Sequence, residues 1–400
     1  MSVSFHSLEN PRKPASPGGW APFALGFRPF FLAAGIWAVL LMALWIGVLL
    51  GSIDLGGWSP LVWHGHEMLF GFSVAVIAGF LLTAAQNWTG IRTPSGAPLA
   101  ALFLLWLAGR LGFLIPGLPP TLVALVDMAF LPLLAAVLAL PIIKARQLHN
   151  YPFPLMLLVL TAANALVHLE VLGWTDSTAS LGLHLGVYVV VTMIVVMSGR
   201  VIPSFTDNKL RTRARRWPAI ERSVLPVTLA ALLASLFAPD LIVTALLATL
   251  AALVHFIRLA GWYTHKFWAE PLLWILHLGY AWIALGFALL ALSASGVDGA
   301  AGSALHAFTA GGIGVLTLGM MARVSLGHTG RLLEPVPLMT LAFIEIGLAA
   351  LLRVAVPLFF PASHAAAMTA SGLLWMVGFG LFVVLYAPVL LRPRVDGKPG

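Results

Sequence analysis

Twelve apolar segments, each about as long as a helix that crosses a bilayer, follow one another along the chain. A membrane-spanning helix needs about 20 consecutive apolar residues. Of the 400 residues, 60% are hydrophobic and only 9% are charged, which excludes a soluble enzyme, a disordered chain and a disulfide-stapled secreted domain. We therefore predict an all-α, polytopic membrane bundle of twelve transmembrane helices.

The predicted spans form two groups of six, separated by one longer polar loop at residues 203–221. The first group covers residues 27–50, 61–86, 97–115, 121–143, 153–173 and 181–202. The second group covers residues 222–238, 240–260, 270–293, 300–326, 336–357 and 366–391. We predict a membrane domain over 27–391, a mobile N-terminal segment at 1–26 and a C-terminal tail at 392–400, with no cleavable signal peptide before the first span.

Basic residues predict the sidedness of this bundle. If the N-terminus is cytoplasmic, all but two of the 22 Lys and Arg residues lie on the cytoplasmic side, in agreement with the positive-inside rule. The opposite loops carry acidic residues: Asp54, Asp176, Asp240 and Asp298. Both termini are thus predicted to be cytoplasmic.

The two remaining basic residues, Arg110 and Arg353, lie inside the third and eleventh spans, towards the outer end. Such an arginine needs a partner or a path to the interface for its side chain. Five histidines from four spans share this outer level: His64, His66, His168, His184 and His306. A lone histidine is often a hydrogen-bonded packing residue, but five at one depth indicate a metal or haem site. The chain has no cysteine, so imidazole is the expected ligand and thioether-attached haem is excluded.

Helical geometry separates the histidines into different roles. His64 and His66 lie about 200° apart around a helix, so they do not readily bind one metal. The face of His64 continues through small residues, including Gly71, Ala75 and Ala78, and this strip could admit a flat macrocycle. His184 has Tyr188 one turn below it on the same face.

Several strings in the chain resemble the NnrS family. They are FRPFF (27–31), WHGHEMLFGFSVAVIAGFLLTAAQNWTG (63–90), GRVIPSFT (199–206), LHLGYAW (276–282) and the run from His306 to ARVSLGHTGR (322–331). The resemblance implies a multi-pass protein of the bacterial inner (cytoplasmic) membrane that contains haem and copper. It also implies a link to nitric oxide metabolism and tolerance.

The second span is also similar to the haem-binding second span of the haem–copper oxidase catalytic subunit. By the same similarity, His184 with Tyr188 matches a copper-ligating pair in the sixth span, and His306 matches a haem ligand in the tenth. Arg353 lies where that family holds haem propionates. The oxidases have two copper-ligating histidines in the seventh span, but residues 222–238 contain none, which implies one b-type haem and a rebuilt copper site.

The resulting hypothesis is a membrane haem–copper protein that binds or transforms nitric oxide in denitrification or nitrosative-stress tolerance. Its expected partners are the lipid bilayer, nitric oxide and an electron donor, and no nucleic acid. The residues expected to hold the haem and its propionates are His64, His306, Arg353 and Arg110. Copper is expected at His184, His66 and His168, with Tyr188 and Glu67 assisting proton or electron transfer. An alternative pairing leaves His306 as the only axial ligand, and an alternative function is a transporter or sensor that uses the outer histidines.

Overall fold

A computed structural model describes residues 19–54, 58–115, 117–398 and 400, and within these ranges it contains helices and no strands. The first six helices are α1 Phe27–Leu49, α2 Pro60–Thr89, α3 Ala97–Gly112, α4 Pro120–Lys144, α5 Pro152–Val171 and α6 Ala179–Leu210. The last six are α7 Pro218–Phe237, α8 Ile242–Trp262, α9 Pro271–Ala294, α10 Ala300–His328, α11 Pro337–Phe359 and α12 His364–Leu391. In the described part, 11 spans are long and apolar enough to cross a membrane, and α3 is a shorter apolar helix. The prediction of an all-α, multi-pass membrane bundle is confirmed.

Proline positions explain where many of these helices begin. Pro60, Pro120, Pro152, Pro218, Pro271 and Pro337 each stand at the first helical position, where the missing N–H would have no helical partner. Pro203 lies inside α6, which continues to Leu210, because neighbouring groups in a bundle tolerate an internal proline. The loop predicted at 203–221 is therefore shortened to residues 211–217.

The order of packing closes the bundle on itself. Helices that follow one another in the chain pack side by side, and α12 packs against both α11 and α1. The helices most buried within the protein are α2, α9 and α10, with 78%, 67% and 67% of their apolar windows buried. The two that carry His64, His66 and His306 therefore belong to the centre of the bundle.

Both α2 and α10 contain a π-helical segment that begins directly after a histidine. In α2 the π-segment spans Glu67–Ser73 and follows His66, and in α10 it spans Ala307–Val315 and follows His306. The i→i+5 turns of a π-segment are rare and occur frequently at functional sites. The two π-segments therefore indicate that the outer halves of α2 and α10 belong to a candidate functional site.

Small residues near these π-segments contact indole rings. An added Cβ on Gly71 would lie 2.7 Å from Trp37 Nε1, and one on Gly311 or Gly314 would lie 2.5 Å from the ring of Trp282 or Trp375. At Gly71, the first small residue of the strip that was predicted to admit a flat macrocycle, Trp37 of α1 occupies the space beside the backbone. An extra residue per π-turn also changes which side chains share a face.

The FRPFF motif ties the first helix to the last. The Arg28 side chain is fully buried, and its Nη1 donates hydrogen bonds to the carbonyl oxygens of Leu390 at 2.9 Å and Arg392 at 2.6 Å. Its Nη2 donates to the Gly400 carbonyl at 2.7 Å. Because the last carbonyls of a helix have no partner within it, Arg28 caps α12.

The predicted mobile segment at 1–26 falls mostly on residues 1–18, which lie outside the described residues. Within its remainder, the Ala21 N–H donates to the Leu391 carbonyl at 2.8 Å, and the Gly96 N–H donates to the Phe23 carbonyl at 2.8 Å. This part of the segment is anchored to the ends of α12 and α3.

We expect Arg28→Gln to lower the free energy of unfolding by about 2 kcal/mol or more, since it removes charged hydrogen bonds and leaves buried carbonyls unpaired. Thermal unfolding in detergent measures the effect. Arg392→Gln is the matched control, because that side chain is exposed and should shift the midpoint little. Equal shifts for the two variants would contradict the capping role.

Candidate metal centre

Six buried polar side chains meet between α2, α3, α4 and α5, at the end that the sequence predicts to face outwards. Each has at most 4% of its surface exposed. They are His66, Glu67, Arg110, Asp127, Asn164 and His168, and we refer to them as the outer cluster. Polar groups inside a membrane are costly unless they are paired. The six side chains of the outer cluster therefore satisfy one another's charges and hydrogen bonds.

Arg110 pairs with both carboxylates of the outer cluster. Its Nη1 donates to Glu67 Oε1 at 2.6 Å, and its Nη2 contacts Asp127 Oδ1. Trp37 Nε1 donates to the other oxygen of Glu67 at 3.0 Å. The structure therefore places Arg110 with two protein carboxylates, whereas the sequence predicted that it would neutralise haem propionates.

His66, Asp127 and His168 bring three possible metal-ligand atoms together. Their ligand atoms all lie within 4.8 Å of one another. Asp127 Oδ2 is 3.2 Å from His66 Nε2 and 2.9 Å from His168 Nε2. Ligands about 2.0 Å from a tetrahedral ion are about 3.3 Å apart, so these separations suit a metal ion with small adjustments.

Neighbouring groups fix the orientation of these side chains. His66 Nδ1 lies 3.1 Å from Glu67 Oε1, and metal-bound histidines usually direct their second ring nitrogen at a carboxylate or carbonyl in this way. Asn164 Nδ2 donates to Asp127 Oδ2 at 2.7 Å, and Asn164 Oδ1 lies 2.9 Å from His66 Nε2. Glu67, expected to orient a ligand or carry protons, is thus in contact with His66.

The charges of the outer cluster favour a bound cation. One guanidinium faces two carboxylates, and with neutral imidazoles the formal charge of the group is −1. Burying an uncompensated charge costs several kcal/mol, and a singly charged metal ion or one proton would bring the total to zero.

A second group forms around His64 and His306, at the outer ends of α2 and α10. His64 lies close enough to His306 and Arg353 for either to affect its charged form, so the structure brings together three of the residues expected to hold haem. The Nδ1–H of His306 donates to the Gly302 carbonyl at 2.7 Å, which leaves the Nε2 lone pair free for a metal. His364, which was not among the predicted site residues, also lies close to His306.

Several buried ring nitrogens near this second group have no hydrogen-bond partner within the described residues. They include Nδ1 of His64 and the indole nitrogens of Trp282 and Trp375. The His64 ring stacks on Trp45 at 4.2 Å between centroids. Unpaired buried polar groups typically cost about 1–3 kcal/mol, so their presence beside the π-segments is compatible with a bound group that carries polar substituents.

His184 and Tyr188 belong to neither group in the described contacts. The Nδ1–H of His184 donates to the Ser180 carbonyl at 2.8 Å, and its ring lies 6.2 Å from that of Tyr188. The hydroxyl of Tyr188 is hydrogen-bonded to Ser235 of α7 at 2.9 Å. The structure thus joins His66 with His168, and it leaves the expected copper ligand His184 outside their cluster.

Two members of the outer cluster were absent from the expected site residues. Asp127 is a carboxylate inside an apolar helix, and Asn164 precedes His168 by four residues, which places both on one face of α5. Either feature could have identified them in the sequence.

A further buried network, near the inner end, was also missed. Arg258 Nη2 pairs with Glu221 at 2.7 Å, and its Nη1 donates to the Tyr280 hydroxyl oxygen at 3.0 Å. The Tyr280 hydroxyl is also 2.7 Å from Nδ1 of His255. This network joins α7, α8 and α9, and its signal in the sequence is the pair His255 and Arg258, one turn apart inside the apolar α8.

Comparison with known proteins identifies a family. A family model described as NnrS protein matches residues 21–394 of the chain, which is almost all of the described bundle. No curated protein matches the chain.

We expect Arg110→Gln to destabilise the protein by about 3–5 kcal/mol, because it leaves two carboxylates buried without their cation. Arg353→Gln is the control, since Arg353 is only partly buried and should have a smaller effect. Unfolding in detergent, followed by circular dichroism, measures both. A loss at Arg353 equal to that at Arg110 would contradict the central position of the Arg110 pairing.

Proposed function

Because the chain belongs to the NnrS family, a membrane protein family of the nitric oxide response, we propose that it is a haem–copper protein that binds or transforms nitric oxide. The observation that carries this proposal is the convergence of His66, Asp127 and His168 in a buried, charge-imbalanced cluster. A second pair of histidines, His64 of α2 and His306 of α10, lies close together in two of the three most buried helices. The family and two separate donor sets together favour two redox cofactors.

Copper would be held by His66, Asp127 and His168. Imidazole nitrogens suit copper where no thiolate is present, and a monovalent copper ion would neutralise the cluster. Glu67 would hold the His66 ring in place through Nδ1, while Arg110 and Asn164 would hold Asp127. This ligand set replaces the earlier expectation of His184, whose contacts lie elsewhere.

Haem would be held by His64 and His306, with Arg353 opposite a propionate. The donor set supports this assignment, because His306 offers a free Nε2 and His64 has a buried nitrogen without a partner. Of the small residues on this face of α2, Gly71 is packed against Trp37. When bound, the haem iron and the copper ion would supply one-electron redox chemistry, and a copper ion with only three protein ligands would keep a position open for nitric oxide.

The protein residues have three tasks in this proposal. Glu67 and Arg110 keep the ligand rings and carboxylate in fixed positions, which is the condition for a metal site of constant geometry. Trp58 and Phe113 cover His66 with rings at 5.5 Å and 5.2 Å, and thus exclude water from the cluster. Asp127 supplies the negative charge that attracts a cation.

Single substitutions separate the two cofactors. We expect His168→Ala and Asp127→Asn to reduce copper content at least tenfold while the haem absorbance stays intact, since altered ligands typically weaken metal binding by large factors. His64→Ala and His306→Ala should change the haem spectrum and retain copper. Metal analysis and optical spectra of the purified proteins measure both.

Two histidine controls complete this experiment. His149→Ala changes an exposed residue, and His184→Ala changes one outside the cluster, so both should retain iron and copper. Full copper content in His168→Ala, or a purified wild type without haem and copper, would overturn the proposal.

A further inference from the structure

A cavity of about 190 Å³ lies directly against the outer cluster, between α4 and α5. Its α4 side is formed by residues at helical spacing, including Ala124, Leu125 and Met128, and its α5 side includes Ala165 and His168. His168 thus belongs both to the cavity wall and to the cluster, where its Nε2 lies 2.9 Å from Asp127 Oδ2.

The position of this cavity gives it an opening towards the membrane. Leu125 is 64% exposed, and Trp174, which also borders the cavity, is 68% exposed. The exposed apolar side chains of a membrane-spanning helix contact lipid. A molecule dissolved in the bilayer therefore meets the cavity mouth before it meets any polar part of the cluster.

The apolar lining of the cavity determines which kinds of molecule can bind in it. Apart from the His168 ring and the Thr121 hydroxyl, it consists of aliphatic side chains, Met128 and Trp174. Apolar walls offer no hydrogen bonds that would hold water in place, and they bind small apolar molecules such as xenon. Ions and polar substrates are excluded, because an unpaired polar group in such a place costs several kcal/mol.

We propose that the α4–α5 cavity admits a small, uncharged gas molecule from the bilayer and delivers it to the His168 side of the outer cluster. This inference rests on the proposed function for the identity of the gas, nitric oxide, and for the metal that receives it. The assignment of the cavity as a binding site for small apolar molecules depends on neither the gas nor the metal. Its volume is sufficient for a diatomic molecule and too small for a macrocycle.

Xenon tests the cavity without any metal. Crystals of the full chain under xenon pressure should show a xenon atom between α4 and α5, and Ala165→Phe should abolish it by filling the space. A separate apolar cavity of about 100 Å³, bordered by Phe31, Met193 and Met320, shows in the same crystals whether xenon has penetrated. A wild-type α4–α5 cavity without xenon would overturn the proposal.

Carbon monoxide tests the route in the copper-loaded, reduced protein. After photolysis, rebinding to copper is followed by the infrared band of the copper-bound gas, which is separate from that of the haem-bound gas. Ala165→Phe and Ala124→Leu should slow both rebinding and thermal release at least tenfold, with the equilibrium affinity and band position unchanged. A blocked route slows entry and exit together, whereas a distorted metal site changes affinity and frequency.

Ala136→Phe provides the matched control on α4, because Ala136 is exposed and twelve residues from Ala124. It should leave both rates unchanged. Wild-type rates in both cavity-filling variants would overturn the route. A wild type that takes up xenon but no copper would overturn the proposed function and leave the cavity assignment intact, so the two failures are distinguishable.

Discussion

The guanidinium of Arg110 between two carboxylates is the interaction on which the outer half of the bundle depends. Glu67, Arg110 and Asp127 come from three different helices, and each would be costly to bury alone in a membrane. Their mutual pairing fixes the rotation of α2, α3 and α4 relative to one another. The orientations of His66 and His168 follow from it, since Glu67 holds the first ring and Asp127 contacts both. A purely apolar interface would allow these helices to slide and would not define a ligand geometry.

The paired π-segments give the two central helices a further common property. Each starts immediately after a histidine, and each places glycine against a bulky side chain from a neighbouring helix. A Cβ at Gly71, Gly311 or Gly314 would lie 2.5–2.7 Å from a tryptophan ring, so only glycine fits at these three positions. These glycines are therefore explained by close packing. The histidines that precede the segments do not share these contacts: His66 contacts Glu67, and His306 contacts the Gly302 carbonyl.

The sequence predicted the class and order of the spans well, because hydropathy and proline positions are local properties. It also predicted that Arg110 and several histidines would need partners inside the membrane. Which partner each found depends on the rotation of one helix against another, and a change of one residue turns a side chain by about 100°. For that reason Arg110 was assigned to propionates when it pairs with Glu67 and Asp127, and Asp127 was not selected. The length of α6 beyond Pro203 was missed because its support comes from neighbouring helices.

The cap that Arg28 places on α12 has a consequence for the order of assembly. Arg28 belongs to the first span, whereas the carbonyl groups it contacts follow some 360 residues later in the chain. During synthesis, the Arg28 guanidinium therefore stays hydrated or unpaired until the last span has entered the membrane. Contacts between such distant segments form late. The contact between the first and last helices at the inner side of the bundle thus forms only after all other helices are present. The hydrogen bonds of Arg28 are therefore among the last tertiary contacts to form during assembly.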